Sequence, residues 1–134
     1  MTRSCLLLIA AFSIARAGDD QPTVVAVQMD QIADNFKSLK TQADDPAQKD
    51  SSLALVASMR QAVVTARIAT PEPAATLTGA PLEEYMKTFG KGMDELDASL
   101  QKLDAAIRSG DASAIDVTLE EITSLKKTYH SDLR

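Results

Sequence analysis

Hydrophobic positions recur along this chain at alternating spacings of three and four, which is the period of an amphipathic helix. Between about Thr23 and Ala43, the residues Val25, Met29, Ile32, Phe36, Leu39 and Ala43 form one stripe. Asp45-Pro46 then reads as an N-cap followed by a proline in the first turn. A second stripe, Leu53, Val56, Met59, Val63 and Ala66, runs on to about Thr70, where Pro71 and Pro73 stop it. "PEPAATLTGAP" has the composition of a helix-joining loop. The third stripe is the most regular: Leu82, Met86, Phe89, Met93, Leu96, Leu100, Leu103 and Ile107. Gly110 suits the left-handed residue after a helix, and Asp111 caps the next one. The fourth stripe is Ile115, Leu119, Ile122, Leu125, Tyr129 and Leu133. No segment alternates with period two, so no sheet is expected. Four such helices with mostly short connections predict an all-α, up-down-up-down antiparallel four-helix bundle.

The N-terminal stretch departs from this pattern. "MTRSCLLLIAAFSIARA" has an early arginine, a short apolar run and small residues at Ala15 and Ala17, the features of a cleaved secretory signal peptide over residues 1–17. Cys5 lies ahead of the apolar run, so it is not placed for lipid attachment. The bundle then occupies residues 18–134, with no cysteine and no second apolar segment. An exported protein without stable membrane association is expected. That portion carries twelve basic and nineteen acidic residues, a net charge of −7. The charge disfavours nucleic acid and anionic membranes as partners.

Candidate chemistry is sparse. The chain has one histidine, no thiol after residue 17 and no glycine-rich phosphate loop, so no enzyme constellation is found and no enzymatic activity is expected. The single histidine, His130, lies near the end of the fourth helix. In the expected topology the first and fourth helices are neighbours, and their opposite ends share a pole. Met29 lies ~9 Å down the first helix, at about 1.5 Å per residue. A thioether and an imidazole can therefore face one another there, a pair that haem iron accepts as axial ligands. Met86 begins the third helix at the same pole and similar depth, so geometry leaves two candidate methionines.

Four stretches, "QMDQIADNFKSLK", "SMRQAVVTARIATP", "FGKGMDELDASLQ" and "KKTYHSDLR", resemble the soluble periplasmic cytochrome b562 family in the same order. The likeness runs from about Val25 to Arg134. It implies Met29 and His130 as axial ligands of a haem, with Phe89 packed on the ring and Met93 where the family commonly has a second aromatic. It further implies Ile32 on the methionine side and Tyr129 at the haem edge. Lys126 and Arg134 share a helix face with His130 and could meet the haem propionates; the family usually has arginine where Lys126 stands. "KKTYH" lacks the two cysteines of a covalent attachment motif, so non-covalent haem b (protohaem IX) is implied. The function implied is electron transfer to and from redox partner proteins by a monomer. A haem-free exported bundle acting as a binding or structural protein is the competing expectation. Signal-peptide cleavage predicts a mature chain beginning at Gly18, which intact-mass measurement of the exported protein checks.

Overall fold

The computed structural model describes residues 22–133. The expected signal peptide and Arg134 lie outside them. Four α-helices follow one another: α1 Val24–Gln42, α2 Lys49–Arg67, α3 Gly79–Ser109 and α4 Ala112–Asp132. Short 3-10 turns at Pro46–Gln48 and Glu72–Thr76 interrupt the first two connections. No strand occurs among the described residues. Along the chain α1 packs on α2, α2 on α3 and α3 on α4, giving the antiparallel four-helix bundle expected from the stripes.

Local signals set the helix ends. The Thr23 hydroxyl accepts from the Ala26 N–H at 3.1 Å, and Asp111 accepts from the Ala114 N–H at 3.1 Å. Asp45 caps the 3-10 turn instead, accepting from the Ala47 N–H at 2.9 Å. Gly110 closes α3 with φ +72°, the left-handed conformation that glycine adopts without steric cost. The second helix ends at Arg67 rather than near Thr70. Pro71 disfavours helical backbone at Thr70, and Ile68 points to solvent, so no packing rewards a further turn.

The stripes meet in one core. Ile32, Leu39, Val56, Met59, Leu100, Leu103 and Ile122 are fully buried. Burial then fades toward one pole, where α1 and α3 begin and α2 and α4 end. Met29, Leu82, Met86, Leu125, Tyr129 and Leu133 continue their stripes there, yet each stays partly exposed. Among the described residues no buried side-chain nitrogen or oxygen lacks a hydrogen-bond partner, and no helix is long and apolar enough to cross a membrane.

Ion pairs brace α2 against α3. Arg60 Nε donates to Asp97 at 3.0 Å, and Arg67 Nε donates to Asp94 at 2.6 Å. The Arg60 guanidinium holds the Asp97 carboxyl below the usual aspartate range. Its stabilising effect is therefore present above the ordinary aspartate pKa and is lost as the pH falls through the lowered value. Because the pair is partly solvated, Asp97→Asn should cost under about 1 kcal/mol at neutral pH. In urea unfolding curves the gap to wild type should close below about pH 4.

Candidate functional site

The uncovered pole encloses a cavity of about 730 Å³ between α1 and α4, with α3 as its floor. Close backbone packing of the kind that joins the other neighbouring helices is missing between α1 and α4. The two helices are neighbours, as expected, but across a gap. Thr23, Val25, Ala26 and Met29 form the α1 wall. Tyr85, Phe89, Gly92, Met93 and Leu96 rise from α3, and Glu72 and Pro73 of the second connection border the rim. From α4 come Leu125, Lys126, Lys127, Tyr129, His130 and Leu133. The wall is mostly apolar, with a few polar groups, and its size falls within the roughly 300–1,000 Å³ of small-molecule and cofactor sites.

Six of the eight residues expected at the site border this cavity: Met29, Phe89, Met93, Lys126, Tyr129 and His130. Ile32 is fully buried in the core and does not border it. Arg134 lies outside the described residues. The two methionines left open by the sequence also separate. Met29 borders the cavity, whereas Met86 packs against the core without reaching it. His130 is exposed on the last turn of α4, at the cavity mouth. Phe89 and Met93 are buried in the floor.

Lys126 also reaches α1. Its ammonium lies 5.0 Å from the Phe36 ring centroid, and Lys40 Nζ lies 5.2 Å from the same centroid. Both distances are within cation–π range. Burial, reinforced by the Lys40 charge, pushes the Lys126 ammonium below the usual lysine pKa. Lys126 thus ties α4 to α1 beside the cavity while contributing positive charge to it.

Two tyrosines shape the α3 side. The Tyr129 ring lies flat against Gly92, where an added Cβ would stand 2.8 Å from a ring carbon. Its hydroxyl donates to Glu95 Oε2 at 2.8 Å, and that carboxylate raises the phenol pKa above its ordinary value. Tyr85 was not foreseen as a site residue. It sits one turn before Phe89, and its hydroxyl donates to the Leu133 carbonyl at 3.1 Å. Its position beside Phe89 was the available signal; its partner was not visible in the sequence.

The fold and site define an antiparallel four-helix bundle with a cofactor-sized apolar cavity at one end, bordered by the Met29 thioether and the His130 imidazole. The cytochrome b562 family model matches residues 24–134, and the chain belongs to the cytochrome b562 family, small haem-binding electron carriers. Neither a curated protein nor a solved structure matches it.

Gly92→Ala tests the wall directly. The gain in helix propensity is about 1 kcal/mol. Displacing a packed aromatic ring costs typically 1–3 kcal/mol. The variant should therefore unfold at lower temperature than wild type in a calorimetric scan.

Proposed function

We propose that this protein is an exported one-electron carrier that holds one protohaem non-covalently in the end cavity, with Met29 and His130 as axial ligands. The observation that carries this reading is that the Met29 thioether of α1 and the only imidazole of the chain, on α4, border one apolar cavity. When bound, haem supplies a reversible ferric–ferrous couple. The protein's contribution follows from its own residues. Met29 and His130 would fill both axial positions and leave no open site for oxygen or substrate. Methionine ligation favours the ferrous state relative to two histidines. Phe89, Met93 and Leu96 would keep water from the ring. Lys126 and Lys127 place positive charge on the cavity wall, where propionates need counter-charge, and the family resemblance adds Arg134 to them. The stretch before His130 lacks the cysteines of covalent attachment, which supports a dissociable haem.

The N-terminal segment supports export to the periplasm, and the acidic balance of the mature chain supports a redox partner with a basic docking face. The ligand assignment is tested by reconstituting the mature protein with haemin, reducing it and recording visible spectra of variants. Met29→Ala should convert a six-coordinate low-spin spectrum to a high-spin one, and Met86→Ala should leave it unchanged. Conversion by Met86→Ala alone would contradict the assignment of Met29.

A further inference from the structure

We propose that Tyr85 and the Tyr129–Glu95 pair are positioning residues that hold the last turn of α4, and with it His130, against α3; the proposal rests on the reading of His130 as a haem ligand.

His130 occupies a weak place in the fold. The helix ends at Asp132, two residues further on. The last carbonyls of a helix have no partner within it, and terminal turns open most readily. Nor does α1 restrain this turn by close backbone packing, because the cavity intervenes. What holds it lies on α3. Immediately before His130, the Tyr129 hydroxyl donates to Glu95 Oε2 at 2.8 Å, with the ring seated on Gly92. Three residues after His130, the Leu133 carbonyl, which the helix leaves unpaired, accepts from the Tyr85 hydroxyl at 3.1 Å. Both bonds run to α3, a single 31-residue helix. The histidine is thus bracketed by two fastenings to the longest rigid element of the bundle. A ligand on a turn that is closed only part of the time binds with an affinity reduced by that fraction. The two tyrosines therefore set how often the imidazole is in place.

The test uses the mature chain and its Tyr85→Phe, Tyr129→Phe, double and Glu95→Gln variants. Phenylalanine keeps each ring, and glutamine keeps an acceptor for Tyr129. Amide hydrogen exchange of residues 129–133 is measured on the haem-free chain. Haem loss to an excess of apomyoglobin is measured on the loaded chain. Each Tyr→Phe change should accelerate both by about fivefold, the effect of one lost hydrogen bond of ~1 kcal/mol. The double variant should multiply the two effects, and Glu95→Gln should stay near wild type. Unchanged exchange in the double variant overturns the proposal. So does faster exchange with an unchanged rate of haem loss, because the bonds would then be structural only. Failure of the wild-type chain to take up haemin defeats the reading of His130 as a ligand, and the positioning role with it. The exchange data, taken without haem, still report separately whether the fastening exists. If the double variant does not fold, the two single variants decide by the same criteria.

Discussion

Four apolar stripes run the length of this bundle, but at one pole the protein leaves part of three of them, on α1, α3 and α4, uncovered. This constraint governs the rest of the structure. Elsewhere each helix buries its stripe against its neighbours, and Leu39, Leu100, Leu103 and Ile122 are sealed. At the pole shared by the start of α1 and the end of α4, the same periodicity continues through Met29, Leu125, Tyr129 and Leu133 into partly exposed positions. A chain whose pattern predicts burial where its own atoms give only a cavity fits an apolar guest. The thioether and imidazole on either side narrow its chemistry. On the proposed reading, haem bound there would stabilise only the folded chain, so the α1 and α4 ends at this pole would gain most from occupancy.

The fastenings around the cavity divide the labour. Lys126 reaches Phe36 across the α1–α4 seam, and the tyrosines hold α4 to α3. Ion pairs from Arg60 and Arg67 lock α2 to α3 on the far side of the floor. Polar contacts thus join the helices beside the cavity and behind its floor, while the cavity wall itself stays mostly apolar. That arrangement leaves room between α1 and α4 without freeing either helix from the bundle.

Much of this was legible in the sequence, for reasons that differ from residue to residue. The caps at Thr23 and Asp111 and the stop at Gly110 act locally, so their side chains announce the helix boundaries. Away from the cavity, most of the buried apolar positions followed from spacing, because a 3–4 stripe has only one face to hide. Met29 and Met86 were indistinguishable, since both sit on a stripe at one pole. Their separation depends on where the gap opens between α1 and α4, and spacing does not encode that. Gly92 stands three residues after Phe89 in the stretch "FGKGMDELDASLQ", but what it packs against, the Tyr129 ring, lies on another helix. Tyr85 and Glu95 were missed for the same cause. Their partners are set by the rotation of α3 against α4, which side-chain packing decides. The contact of Lys126 with Phe36 was not visible in the sequence either, because it too depends on how α4 sits against α1.

The central claim is that the end cavity is a haem site. Haemin titrated into the purified mature chain, followed by the visible spectrum after reduction, addresses it most directly. Saturation at one haemin per chain with sharp, split α and β bands is the result the account predicts. Absence of saturable binding, or a broad five-coordinate spectrum at saturation, would contradict it.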